Sequence, residues 1–294
     1  MAIFLELLLS GIMVGSIYAL VALGWTLIYK CSGVLNLAMG ELTLIGAYVC
    51  LTYYQWGLPF PVALLATLCT GFILGLLTER LFLRRMIGEP ILAVIMVTVG
   101  LAFFFRALVA LTWGTDTVVF APPVFPQEPL RFFGMVFGQV YLWSFVAAIA
   151  LLVIFTWFFQ RSRWGLGMQA TADDEMAALS LGVSARRVYA LAWAIAFMAA
   201  GVGGTLLGNI NGLNISVGYL GLLVLPAVVL GGLNSVPGAI VGGLAIGVLQ
   251  NLSDAYLGRL TQGGVKEIAP FAFMVIILLF RPYGLWGWVK IERV

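Results

Sequence analysis

A chain of 294 residues that is 63% hydrophobic and 9% charged, with a mean hydropathy of +1.10, lies outside the soluble globular class and inside that of polytopic helical membrane proteins. The formal net charge of +3 gives no reason to expect a nucleic-acid partner. Histidine is absent, which excludes His general-base catalysis, a His-ligated metal and a His proton relay. In lipid the backbone must satisfy its own hydrogen bonds, so the spans are helices or a closed barrel. Continuous apolar runs near the length of about twenty residues select helices.

In chain order the apolar segments are 6–29, 34–53, 61–83, 91–113, 140–160, 188–210, 219–233, 236–257 and 268–288. The expectation is an all-α, Gly-rich bundle of about eight to nine transmembrane or partly re-entrant helices, forming one domain over 1–294. No basic stretch and cleavage site precede the first segment, so no signal peptide is expected. That segment carries Gly11, Gly15, Ala19, Ala22 and Thr26 on one face. Only Lys30 to Gly33 separate it from the second, so one of the two can be irregular.

The second segment holds Glu41, about eight residues in. An ionisable group inside a span faces a cavity, a partner or a solute pathway. Ser32, Asn36, Gly40, Thr43 and Ala47 make a polar and small face beside it. Asn36, Gly40, Glu41 and Thr43 are therefore the candidate pathway or gate residues; the plainer alternative is a structural hydrogen bond to a neighbouring helix. The third segment shows Thr67, Gly71 and Gly75 in register and ends on Glu79 and Arg80, an interfacial pair. In the fourth, Arg106 either snorkels or pairs with a carboxylate such as Asp254 or Asp116. Pro122, Pro123, Pro126 and Pro129 make 114–139 a stiff, non-helical cap.

After the fifth segment the apolar pattern breaks over 161–187. A short helix is expected from roughly Asp173 to Leu181, capped by Thr171 or Asp173. Asp173, Asp174 and Glu175 stand where a helix dipole favours negative charge. Gly182 can end it in the left-handed conformation. Ala177 and Ala178 keep its surface small. A capped, hydrophilic helix between two spans reads as a docking element for a cytoplasmic protein.

The sixth segment carries Ala192, Ala196, Ala200, Gly204 and Gly208 every four residues, and the eighth carries Ala239, Gly243 and Gly247. Such stripes let membrane helices approach closely; Gly15, Ala196, Ala200 and Gly204 are assigned to packing. Asn209, Asn211, Asn214 and Ser216 cluster in a short external loop, either an ordinary polar turn or a place to meet an incoming solute or a delivery protein. Segment 219–233 is short and contains Pro226, which suits a broken or re-entrant helix. The stretch from Gly231 to Gly238 requires a turn. No GxxxxGK[ST] occurs, so ATP is not bound by that route. Cys31, Cys50 and Cys69 lack metal-ligand spacing and read as buried small side chains. No metal site is expected.

Orientation follows the basic residues. With 161–187 in the cytoplasm, alternation places Lys30, Arg80, Arg84, Arg85, Arg161, Arg163, Arg186, Arg187, Arg281, Lys290 and Arg293 inside, eleven of the fifteen. Arg131, Arg259 and Lys266 fall outside. The N-terminus is then external and the C-terminus cytoplasmic.

Several of these stretches also resemble a known family. Gly15-Ser16-Ile17-Tyr18-Ala19-Leu20-Val21-Ala22-Leu23-Gly24, followed by Gly33-Val34-Leu35-Asn36-Leu37-Ala38-Met39-Gly40-Glu41, is similar to the opening of the branched-chain amino acid ABC importer permeases. Segment 170–182 resembles that family's coupling loop. Leu230 to Ala239 and Arg281-Pro282-Tyr283-Gly284-Leu285 resemble its late motifs. The family commonly has histidine where Met39 stands and glycine where Asn234 stands. The likeness covers nearly the whole chain and is to the first of two paired permease types.

The resemblance implies a permease, not an enzyme, in the bacterial inner membrane. It implies four further components: a second permease, two cytoplasmic ATPases and a periplasmic solute-binding protein. ATP and Mg would sit on the ATPases, with no cofactor on this chain. Asp173, Asp174, Glu175, Ala177, Ala178 and Gly182 would be the ATPase-coupling residues. The cargo would be branched-chain amino acids or related small amino or carboxylic acids. An ion-coupled carrier using Glu41, Arg106 and Asp254 is an alternative that leaves 161–187 unexplained; a passive channel for urea or an amide is another.

Overall fold

The computed structural model describes residues 2–126, 128–132, 135–261 and 264–287. Lys290 and Arg293, counted above for orientation, and the last residue of segment 268–288 lie outside the described residues. Each of the nine apolar segments contains a helix: α1 (Ala2–Ser32), α2 (Met39–Gln55), α3 (Phe60–Leu81), α4 (Ile91–Trp113), α5 (Gln139–Arg161), then, beyond the 161–187 break, α8 (Ala185–Asn211), α9 (Leu220–Gly231), α10 (Val236–Thr261) and α11 (Val265–Phe280). The break itself holds α6 (Arg163–Asp173) and α7 (Glu175–Ser180). Helices α1, α3, α4, α5, α8 and α10 are long and apolar enough to cross a bilayer, which makes this a multi-pass membrane protein. Helices α2, α9 and α11 are shorter, at 17, 12 and 16 residues.

Two apolar segments are discontinuous. Gly33, at φ +68°, ends α1, and α2 begins only at Met39 rather than near 34. The intervening backbone is satisfied by α4. Thr98 Oγ1 accepts from Leu37 N–H at 3.3 Å and donates to the Leu35 carbonyl at 3.4 Å. Asn36 Oδ1 accepts from Ala38 N–H at 3.0 Å, which starts the first turn of α2. Non-helical backbone at membrane depth is tolerated when protein supplies its partners in this way. The second discontinuity precedes α9. A 3-10 turn over Ile215–Tyr219, capped by Asn214 Oδ1 on Ser216 N–H at 2.9 Å, leads into the short Pro226-containing helix. The segment is short, as expected for 219–233, but its helix runs unbroken through Pro226 and the break lies before it.

The core forms around α1 and α8. Helix α8 packs on α1, α2 and α3, and α1 packs along α10. The small-residue stripes are the contact lines. An added Cβ on Gly15 would lie 2.8 Å from Leu244 Cα of α10, and one on Gly71 would lie 3.4 Å from Met198 Cα of α8. On α8, Ala192, Ala196 and Ala200 are buried, and a Cβ on Gly204 would collide with the Thr43 carbonyl of α2. Gly204→Leu should therefore destabilise the bundle by about 1–3 kcal/mol through overpacking. Detergent-extracted yield and melting temperature measure it; a wild-type profile would mean that α2 and α8 do not meet at this line. Around the core, α3, α4, α5 and α11 turn apolar side chains outward, among them Leu65, Leu111, Trp157 and Leu279. Cys31 and Cys50 are buried as expected, whereas Cys69 is exposed on α3.

At one end of the bundle the described residues of the Pro-rich connection form no helix before α5, as its prolines dictate, and they include an antiparallel strand pair, β1 (Pro129–Phe132) with β2 (Met135–Gly138). The connection is tied down by the backbone pair Val118 and Leu213 and by Tyr54 Oη donating to the Pro122 carbonyl at 2.9 Å. At the other end lie α6, α7 and the start of α8. There Lys30 stacks over Phe159, 5.5 Å from its ring centre. Glu79 is buried and binds Arg84 at 2.9 Å instead of lying exposed at the helix end, whereas the adjoining Arg80 is exposed there as expected.

Candidate functional site

Glu41 sits in the first turn of α2, not eight residues into a helix, because α2 starts at Met39. A helix N-terminus favours a carboxylate there. Its side chain is 5% exposed and meets Arg106 of α4 at 2.5 Å. The partner of Arg106 is thus Glu41, not Asp254 or Asp116. Helical spacing from Trp113 places Arg106 about 10 Å below the end of α4 that carries the Pro-rich loop. That depth is too great for simple snorkelling, and a charge so placed requires a partner. The Arg106 guanidinium also covers the Tyr219 ring, 4.8 Å from its centre.

The two discontinuities meet at this cluster. Gly40 backs directly onto Gly218, and Gly221 onto Gly40, so no side chain separates the start of α2 from the start of α9. Gly218 in turn faces the Glu41 carboxylate: an added Cβ would lie 2.6 Å from Glu41 Oε2. Three polar atoms of the region, Glu41 Oε2, Arg106 Nε and Asn36 Nδ2, are buried and have no hydrogen-bond partner among the described residues. A buried network that is only partly satisfied is costly unless something else completes it. Tyr219, 53% exposed, carries the cluster to the protein surface.

Of the predicted pathway residues, Gly40 and Glu41 belong to this cluster. Asn36 precedes α2, where its Oδ1 accepts from Ala38 N–H and its Nδ2 is one of the unpartnered atoms, rather than sharing a helical face with Gly40. Thr43 binds back to the Met39 carbonyl at 3.0 Å and packs towards Gly204. Met39 is fully buried and reaches Gly24 of α1, which Ala196 of α8 also faces, so it lies in the bundle core. Tyr219, Gly218, Gly221 and Thr98 complete the arrangement and escaped the sequence reading. The glycine pair at 218 and 221, opening a short apolar segment, was the available signal.

The second predicted site, at 161–187, is two helices rather than one. Ser162 Oγ caps α6 through Gly165 N–H at 2.8 Å. Asp174 leaves the helical region at φ −153° and ψ 107°, ending α6 and capping α7 through Ala177 N–H at 3.0 Å. Asp174, not Thr171 or Asp173, is therefore the cap. Asp173 is the last residue of α6, and Thr171 is buried, bound to the Gly167 carbonyl at 2.9 Å. Gly182 is left-handed, at φ +84°, as expected. Its N–H donates to the Leu179 carbonyl at 3.0 Å and that of Val183 to the Ala178 carbonyl at 2.9 Å, which closes α7 in a Schellman motif.

Ala178 points inward, at 2% exposure, so it seats α7 on the bundle and is not part of an outer surface. Asp173, Glu175 and Ala177 are exposed. Met176, Leu179 and Leu181 present apolar side chains at 75%, 47% and 83% exposure. The element is anchored from behind by Gln169 Nε2, which donates to the Phe159 carbonyl at 2.7 Å. A small apolar knob is thus held rigidly at one end of a membrane bundle.

Comparison with known proteins identifies the chain's relatives. Residues 7–280 match the family model described as branched-chain amino acid transport system / permease component. The high-affinity branched-chain amino acid transport system permease protein LivH of Salmonella typhimurium is 33% identical, covering 99% of this chain and 98% of its own. The corresponding permease protein BraD of Pseudomonas aeruginosa is 31% identical with the same coverages. The permease protein LivM of Escherichia coli is 29% identical over 92% of this chain and 67% of its own. A solved structure, PsaBC from Streptococcus pneumoniae in complex with Fab, is similar at a TM-score of 0.49 and 13% identity, covering 92% of this chain and 91% of that one. With a family match across nearly its whole length and a full-length relative at one-third identity, the chain belongs to the branched-chain amino acid transport system permease components.

Proposed function

We propose that this chain is one of a pair of permeases in an ATP-driven importer of the bacterial inner membrane, carrying branched-chain amino acids or related small amino and carboxylic acids. The two permeases form the pathway between them. A periplasmic binding protein delivers the solute, and two cytoplasmic ATPases bind ATP and Mg. The N-terminus is external, and α6 and α7 are cytoplasmic. Similarity to both LivH and LivM supports pairing, and the names of the relatives support the cargo class.

The observation that carries the reading is the rigid knob at α7. A soluble-facing element with Met176, Leu179 and Leu181 exposed needs an apolar groove to cover it. Seated on an ATPase, it would transmit domain closure through α6 and α8 into the bundle. An ion-coupled carrier has no use for it.

Two variants test this. Leu181→Asp places a charge on the knob and should reduce co-purification of the ATPases about tenfold or more. Gly182→Val forces a β-branched residue to φ +84° and should misalign the knob with a similar loss. Both should leave the permease inserted in the membrane. Pull-down of the ATPases with tagged permease, beside ATP-driven uptake in vesicles, gives the measurement. Wild-type behaviour of both variants would remove α7 from the coupling role.

A further inference from the structure

Two cavities of about 630 Å³ and 600 Å³ adjoin at the end of the bundle that carries the Pro-rich loop. They share Tyr18, Leu207, Asn211 and Lys266 in their walls. Their size falls in the range of small-molecule sites, about 300–1,000 Å³. Three features separate this chamber from an ordinary crevice between helices.

First, Gln250 of α10 borders the chamber at 1% exposure, and neither its amide oxygen nor its amide nitrogen has a hydrogen-bond partner among the described residues. A buried amide with donors and acceptor all unused is expensive unless a ligand or water completes it. The neighbouring Asn251 is unlike it, because its Nδ2 is already bound to Ser10 Oγ at 3.0 Å. Second, the walls carry charges of both signs: Lys266 throughout, Glu267 on one side and Asp254 on the other. Third, Leu222, Leu223 and Phe271 supply an apolar wall next to the charged one. Tyr219, which lies under the Arg106 guanidinium, also lines the chamber and joins it to the Glu41 cluster.

A solute that satisfies all three has a carboxylate, an ammonium and an apolar side chain. We propose that this chamber is a low-affinity station for a free zwitterionic amino acid within the permease itself. Lys266 receives the carboxylate, Glu267 the ammonium, Gln250 completes the polar contacts, and Leu222 and Phe271 take the side chain, all five lining the same cavity of about 600 Å³. The assignment rests on the cargo class proposed above, and it adds a selective step on the permease beyond whatever the binding protein selects.

The test uses the assembled importer in nanodiscs without binding protein, with direct binding of radiolabelled leucine as the readout. Isocaproate and isoamylamine, which lack the ammonium and the carboxylate respectively, serve as competitors. Leucine should bind, and each analogue should compete at least about tenfold more weakly. Gln250→Leu and Lys266→Gln should each weaken leucine binding about tenfold, the loss of one hydrogen bond to a charged group. Lys266 is exposed, so its variant reports even if Gln250→Leu assembles poorly. Unchanged binding in Lys266→Gln together with unchanged binding in assembled Gln250→Leu overturns the proposal. So does wild-type importer that takes up leucine with ATP yet binds none directly, a result that leaves the cargo reading intact. Uptake of a neutral amide and of no amino acid would overturn both.

Discussion

Glu41→Leu should lower the stability of the permease by about 3–5 kcal/mol, because it strands the Arg106 guanidinium inside the bundle without its counter-charge. The Glu41 side chain is almost fully buried and that of Arg106 is 29% exposed, so the loss should fall towards the lower figure. Replacing both partners removes the unpaired charge as well as the pair. Glu41→Leu/Arg106→Leu should therefore regain most of the assembled yield. The double variant also separates the two roles open to this cluster. If it assembles and transports like wild type, the pair is structural alone. If it assembles and uptake is lost, the charges act on the solute or on gating. Glu41→Gln refines the result, since it keeps the shape and removes the charge: it should assemble and change the uptake rate. Thermal unfolding in detergent and ATP-driven uptake measure the series. Normal stability of the single Glu41→Leu variant would show that Arg106 does not depend on Glu41.

The sequence foretold Glu41 but not its partner, for a physical reason. Intramembrane charges announce themselves by their cost in lipid, so both Glu41 and Arg106 stood out. Their pairing depends on where α2 begins. Apolar composition resumes at Val34 with only Asn36 to interrupt it before Met39, and nothing in hydropathy distinguishes an extended segment held by Thr98 from a helix. A start at 34 would place Glu41 two turns along a helix; the observed start at Met39 puts it at the helix N-terminus beside α4. The helix expected within 161–187 was misplaced in a similar way. Its acidic run and Gly182 were legible, whereas the choice among Thr171, Asp173 and Asp174 as cap depended on α6 continuing from Arg163, which a Gly- and polar-rich stretch conceals. Small-residue stripes were read most faithfully. A four-residue repeat of Ala and Gly states that a backbone must come close, and α8 meets α2 and α3 along that line. What such a stripe does not state is which helix lies opposite.

Gly40→Leu should be the most damaging single glycine replacement at the site, and its expected effect follows from what stands opposite. An added Cβ would lie 2.9 Å from both the Gly218 carbonyl carbon and the Gly221 nitrogen, and closer still to the Gly218 carbonyl oxygen. These neighbours are backbone, so no rotamer change can make room. The two discontinuous segments would have to part, and Glu41 and Tyr219 would move with them. Overpacking against yielding side chains costs about 1–3 kcal/mol; here the effect should lie at or above that range. Gly100→Leu is the matched control. Gly100 is an exposed position in mid-α4, and a Cβ there meets nothing within 4 Å, so the same substitution adds only lipid-facing surface. Assembled yield and melting temperature should therefore fall sharply for Gly40→Leu and stay near wild type for Gly100→Leu. Equal stability of the two variants would mean that α2 and α9 do not touch through glycine backbone, and the cluster at Glu41 would lose the contact that brings its halves together.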